Sequence, residues 1–226
     1  MPRPLADLTS PEAASLAGAV LAVPLGSTEQ HGAHLPLSTD TEIAVALCTR
    51  LVAARPDVLV APAVPYGSSG EHAGFARTLS IGQAAVELLV LELGRSAAET
   101  FEHVLFVSAH GGNAEPVTRA VAQLRAESRD VALFTPSWPG DPHAGHEETA
   151  MLLALRPSAV HPERGVPGDR RPLRELMPLL RSGGVRAVTA TGVLGDPTAA
   201  TAAAGAALLD ELAAALIAMV ADWRTS

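Results

Sequence analysis

Apolar runs of four or five residues alternate along this chain with longer segments of helical period. Ala19-Val20-Leu21-Ala22-Val23 reads as a first buried strand. Val58-Leu59-Val60-Ala61 reads as a second, stopped by Pro62, and Val104 to Ser108 and Val131 to Phe134 as two more. Thr39 followed by Glu42 has the spacing of a capping box, opening a helix that runs to about Ala54 before Arg55-Pro56. Ile81 to Phe101 contains a long helix, a further helix covers about Glu115 to Glu127, and a short one runs from Glu147 to Leu155. Arg164 to Arg186, rich in Arg, Gly and Pro, reads as a surface excursion with one helical piece near Leu173–Leu180. The run from Thr198 to Trp223 is very apolar but carries Asp210, Glu211 and Asp222, which suits a helix packed in a core better than a membrane span. Strands alternating with helices predict an α/β fold, a three-layer α/β/α arrangement with a mostly parallel sheet. With no repeat and no linker, a single domain over residues 1–226 is expected.

Composition narrows the chemistry. Apolar residues are 48% and charged residues 18% of 226, a globular balance. The net charge of −8 argues against nucleic acid as a partner. All 16 Lys+Arg residues are Arg, so Schiff-base lysine chemistry is excluded within the chain. The one cysteine, Cys48, excludes an intrachain disulfide framework and falls on the apolar side of its helix. The start, Met1-Pro2-Arg3-Pro4-Leu5-Ala6-Asp7, has no signal-peptide pattern, so a cytoplasmic protein away from membranes is expected.

The polar chemistry follows the strands. The first strand leads into Glu29-Gln30-His31-Gly32-Ala33-His34 and on to Asp40, and the third into His110-Gly111-Gly112-Asn113. Asp141-Pro142-His143-Ala144-Gly145-His146-Glu147-Glu148 follows the fourth. Sites in open parallel sheets lie outside the carboxyl ends of the strands, so all three clusters belong on one edge. Strand ends delivering only His, Asp and Glu imply a metal centre, with iron, zinc or manganese compatible. Glu29 and His31, two apart, share a face in an extended segment and can ligate adjacent metals, with Asp40 as the bridge. Singly, each residue has a plainer reading: Asp40, Glu147 and Glu148 complement helix dipoles, and Gly111-Gly112 is a tight turn. His103 and His161 read as structural. Trp138 and Tyr66 either line a pocket or pack. No G-x-S-x-G elbow surrounds Ser27 or Ser108, which leaves water as the nucleophile.

The three motifs, in this order and spacing, resemble the creatininase family of metal-dependent amidohydrolases, and the likeness covers nearly the whole chain. The resemblance implies a doubly wound α/β layer with two divalent ions. It makes Glu29, His31, Asp40, His110 and Glu148 the metal ligands, with Asp40 bridging, and gives Glu148 a place in catalysis as well. His143 takes the place of a histidine that handles protons. His34, Glu71, His72, Gly111, Gly112, Asn113 and Trp138 are implied as substrate-side or supporting residues. Creatinine-cleaving members carry a Glu where this chain has Gly112, which speaks against creatinine, and Arg77 stands where a glycine is usual. The segments Tyr66 to His72, Leu176 to Val185 and Gly192 to Ala202 resemble the members that act on a modified precursor peptide. That implies cleavage near the peptide's C-terminus to release a small Val-Tyr-derived core, by attack of a metal-bridging hydroxide on the amide. The alternative within the family is a small-molecule amidohydrolase acting on a formamide or cyclic amide. The family also implies a homo-oligomer, for which the apolar C-terminal run is either an interface or core. Arg170, Arg171 and Arg174 either meet an acidic peptide or face water.

Overall fold

The computed structural model describes residues 4–16 and 18–225; Met1–Arg3 of the N-terminal segment read above lie outside them. Strands β1 (Val20–Leu25), β2 (Val58–Val60), β3 (His103–Ser108) and β4 (Val131–Phe134) form one parallel sheet in the order β2-β1-β3-β4. In register, Val20 lies opposite both Val58 and His103, and Leu25 opposite Ser108. The helices are α1 (Ser10–Ala14), α2 (Thr39–Ala54), α3 (Gln83–Ala97), α4 (Ala114–Ala126), α5 (His146–Leu155), α6 (Leu173–Gly183) and α7 (Ala202–Trp223).

The continuous apolar strands follow from burial on both faces. Val20, Ala22, Leu105 and Val107 point into a core shared with α2, α5 and α7. Leu21, Val23, Val104 and Phe106 point the other way, into a core shared with α3 and α4. Cys48 belongs to the first core, where burial pushes its thiol up to about 12. Helix α7 is long and apolar enough to cross a bilayer, yet Leu209, Leu212, Ala213, Leu216 and Val220 are buried in that same core against α2 and α5. The expected core helix is what forms.

Three local readings are corrected. The Thr39–Glu42 capping box is absent: Ser38 is the N-cap and donates to the Glu42 carboxylate, which Arg156 also grips. Thr39 already lies inside the helix, so its hydroxyl donates to the Pro36 carbonyl at 2.7 Å instead. Strand β1 extends two residues beyond Val23; Pro24 has no N–H to give, but its carbonyl accepts from the Val64 N–H at 2.9 Å. Helix α6 runs on to Gly183, and far from being only a surface excursion it walls the cavity described below.

The helix after β1 packs on one face of the sheet and the helix after β3 on the other, so the connections diverge between these adjacent strands. That divergence at the carboxyl edge is where open α/β sheets hold their ligands.

Candidate metal centre

The loop after β1 and the start of α2 meet because residue 26 is glycine: a Cβ there would run into the backbone of Thr41. This close approach sets Asp40, in the first turn of α2, against the end of β1. Ser27 Oγ donates to Asp40 Oδ2 at 2.7 Å. The other carboxylate oxygen, Oδ1, is 3.1 Å from His31 Nε2, and Oδ2 is 2.9 Å from His110 Nδ1. One carboxylate thus faces two imidazoles with two different oxygens.

Both imidazoles are oriented from behind. His31 Nδ1 donates to the Glu29 carbonyl at 3.0 Å, and His110 Nε2 to the Ser68 carbonyl at 2.9 Å. Those two nitrogens are thereby occupied by backbone, which turns His31 Nε2 and His110 Nδ1 towards Asp40. Second-sphere fixing of this kind is how ligating histidines are held. Glu29 lies 3.4 Å from His110, and Glu148, from the first turn of α5, 3.7 Å from His31. Among the described residues four donor triads have their atoms within 4.8 Å of one another: Glu29–His31–His143, Glu29–Glu71–His72, and the two that share Asp40, Glu29–Asp40–His110 and His31–Asp40–Glu148. The five residues of the Asp40 triads are at most 5% exposed.

The electrostatics shows what such a cluster lacks. Burial pushes Glu29 and Glu148 up to about 7. Burial acts against charge on His31 and His110 too, but Asp40 and Glu29, with Glu148 at His31, drive both up to about 10. Asp40, despite its burial, is held well below the usual carboxylate range by His31 and His110. Three buried carboxylates therefore share at most two imidazolium charges. Neither carboxylate oxygen of Glu29 has a hydrogen-bond partner of good geometry. Orphaned oxygens and inward-facing imidazole nitrogens, whose protons a bound metal would displace, suit a divalent cation in each of the Asp40 triads.

Around this cluster lies a cavity of about 670 Å³. Glu29, Asp40, His110, His143 and Glu148 line it on one side, with Glu71, His72, Gly111 and Gly112, and α6 lines it with Leu173, Met177, Leu180 and Arg181. His143 is set by Gln30, whose carbonyl lies 2.9 Å from its Nε2, and its Nδ1 is 3.6 Å from Glu29. Burial, together with the neighbouring His31 and His72, lowers His143 well below its ordinary value, so it is neutral. His72 is likewise lowered, to about 3, by burial and by His31 and His110; its Nε2 is 3.1 Å from Glu29.

Other residues singled out from the sequence stand apart from the cavity. His34 is buried behind the cluster, its Nε2 2.9 Å from Thr149 Oγ1, beside Glu148. Burial and His31 lower it to about 4. Asn113 is a brace: its Oδ1 accepts from the Ser68 N–H and its Nδ2 donates to the Gly26 carbonyl. Trp138 packs against the α2/α5/α7 core and does not line the cavity, and Tyr66 is exposed. His103 pairs with Asp130 at 2.7 Å and His161 lies 3.5 Å from Glu163, its backbone N–H donating to the His34 carbonyl; neither side chain lines the cavity. Arg170, Arg171 and Arg174 pair within the chain, with Asp196, Asp169 and Glu175. Ser27, Gln30, Ser68 and the cavity face of α6 were not singled out by sequence reasoning. Ser27 and Gln30 flank Glu29, a signal in plain view; the Ser68 contribution is a backbone carbonyl and has no sequence signature.

The family model for creatininase (creatinine amidohydrolase) matches residues 6–220. The chain belongs to the creatininase family. Creatininase-family relatives include the mycofactocin precursor peptide peptidase of Mycolicibacterium smegmatis, 51% identical over 217 residues, 93% of this chain and 87% of that protein. The protein of the same name from Mycobacterium tuberculosis (strain CDC 1551 / Oshkosh) is 48% identical over 229 residues, 97% of this chain and 91% of its own. Two solved structures, a mutant creatininase of Zn–Zn type and one described as creatininase Mn, superpose with TM-scores of 0.81 and 0.80. Each is 22% identical and covers 96% of this chain, with 96% and 97% of its own length. The creatininase fold and a hydrolase of that family follow, as the sequence motifs led one to expect.

Proposed function

We propose that this chain is a metal-dependent peptidase that cleaves the modified mycofactocin precursor peptide near its C-terminus, releasing the small Val-Tyr-derived core. The relatives at 48% and 51% identity carry that substrate in their name. The observation that carries the chemistry is the Asp40 carboxylate, with Oδ1 on the His31 side and Oδ2 on the His110 side of two donor triads. Glu29, Asp40 and His110 would hold one divalent ion and His31, Asp40 and Glu148 the other. Imidazole with carboxylate accepts zinc, iron or manganese. Bound there, such a pair supplies Lewis acidity towards the scissile carbonyl and the attacking water.

The chain's own groups do the rest. Ser27 and the Glu29 and Ser68 carbonyls fix ligand orientation before substrate arrives. His143, neutral and on the cavity wall, takes the water's proton and hands it to the departing amine nitrogen; Gln30 keeps its ring in place. Gly111 and Gly112 put the N-terminal backbone of a helical segment on the same wall, where unsatisfied N–H groups serve a developing oxyanion. A cavity of about 670 Å³ is of the size that holds a drug-sized ligand, which favours a peptide over a small cyclic amide.

The test is direct. The metal-loaded protein is incubated with the enzymatically modified precursor peptide and, separately, with formamide and cyclic-amide substrates, and products are read by mass spectrometry. Release of the C-terminal core, abolished by chelation and restored by metal, is expected. Hydrolysis of the small amides alone would overturn the peptidase reading and leave the alternative amidohydrolase.

A further inference from the structure

The cavity is lined by five carboxylates, Glu29, Asp40, Glu71, Glu115 and Glu148, and by one arginine, Arg181. Among the described residues Arg181 makes no ion pair or hydrogen bond, whereas Arg170, Arg171 and Arg174 nearby are paired. It belongs to α6, whose Leu173, Met177 and Leu180 also line the cavity. The spacing i, i+4, i+7, i+8 places all four on one stripe of the helix. Leu176, fully buried, anchors α6 to the body of the protein, while Leu173 remains 45% exposed at the cavity. The C-terminal end of α6 is seated tightly: a Cβ at Gly184 would come within 2.5 Å of the Glu71 carbonyl oxygen. The apolar stripe and its terminal cation therefore line the same cavity as the donor triads, with Leu173 and Arg181 exposed and Met177 and Leu180 half-buried.

We propose that the cavity face of α6 selects the peptide: Leu173, Met177 and Leu180 take an apolar side chain, and Arg181 takes an acidic side chain of the same peptide. This rests on the peptidase reading and goes beyond it by naming what the site recognises. The helix rises about 1.5 Å per residue, so Arg181 lies roughly 6–12 Å along the axis from Met177 and Leu173. An extended peptide advances about 3.3 Å per residue, which puts the acidic residue about two to four positions from the apolar one.

The experiment compares kcat/KM of the metal-loaded enzyme for three otherwise identical modified peptides carrying Glu, Gln or Lys at the proposed position. The wild type is expected to prefer Glu over Lys by about fivefold or more, an exposed-pair effect that shrinks in high salt. Arg181→Glu should invert the order and Arg181→Lys should keep it. A variant that simply folds poorly lowers all three rates together and cannot invert their order. Moving the Glu along the peptide should give a maximum about two to four residues from the apolar side chain. Equal rates for the three peptides, or an unchanged order in Arg181→Glu, would overturn the inference and leave the peptidase intact. If no peptide is cleaved, the peptidase reading falls and this inference with it.

Discussion

Ser27 and Asp40, thirteen residues apart, are joined by a buried 2.7 Å hydrogen bond in which the hydroxyl at the end of β1 donates to the carboxylate at the start of α2. That bond fixes which way Asp40 turns its two oxygens. Ser27→Ala removes the donor without adding bulk. It should weaken metal binding by about 10–100-fold, the usual cost of losing a partner behind a metal ligand, while the fold is retained. Competition with a fluorescent chelator measures this; an unchanged affinity would free Asp40 from Ser27.

His143 lines the cavity and groups with Glu29 and His31, but lies outside both Asp40 triads. His143→Ala is expected to keep both metals and to lose about 10²–10⁴-fold in kcat, the usual worth of a positioned proton-transfer group. Turnover near the wild-type rate at full metal content would remove His143 from the mechanism.

Residue 112 tests the crowding beside His110. A Cβ there would meet the Ser68 carbonyl oxygen, with Glu71 Oε1 at 2.5 Å and His110 Nε2 at 2.6 Å. Gly112→Ala should therefore push on the imidazole and on the carbonyl that orients it. A stability loss of about 1–3 kcal/mol is expected from overpacking, with metal lost first from the Glu29–Asp40–His110 triad. Calorimetry and metal analysis together would show it; a variant with wild-type stability and metal content would contradict it.

The metal-free chain should become less stable as pH rises above about 7. His31 and His110 stand near 10 in the fold against 6.5 unfolded, so the stability they contribute is complete below 6.5 and is lost as pH rises towards 10. Glu29 and Glu148 stand near 7 against 4.5, so what they contribute is complete below 4.5 and is already lost by about pH 7, leaving the fall above 7 to the two imidazoles. His34, His72 and His143 are lowered and act oppositely, but their contribution is complete once pH exceeds 6.5. Thermal melts of the chelated protein over about pH 7 to 10 should show Tm falling, and saturating zinc or manganese should flatten the curve. A Tm that rises with pH in the chelated protein would contradict the charge balance drawn for the site.

Much of this was legible because the sheet is parallel and buried on both faces. Continuous runs such as Val104 to Ser108 mark such strands, and once they are placed, their carboxyl ends bring Glu29, Asp40, His110 and His143 to one edge. Less legible were features made by chain geometry. The first turn of α2 is ambiguous in sequence because Ser38, Thr39 and Glu42 all have capping chemistry; in the fold Ser38 is the N-cap, and the Thr39 hydroxyl goes to the Pro36 carbonyl. Helix α6 was read as surface because its composition is mixed; its role depends on Leu176 being buried and on Gly184 packing over Glu71, contacts distant in sequence. Trp138, an aromatic just before the third motif, packs against the α2/α5/α7 core.

The most direct measurement is the metal content of the wild type and of Asp40→Ala, purified identically and read by elemental analysis alongside a fold check by circular dichroism. One carboxylate serving both triads predicts about two divalent ions per wild-type chain and loss of both in the variant. Two ions retained by a folded Asp40→Ala, or a wild type that binds none under saturating metal, would contradict the account at its centre.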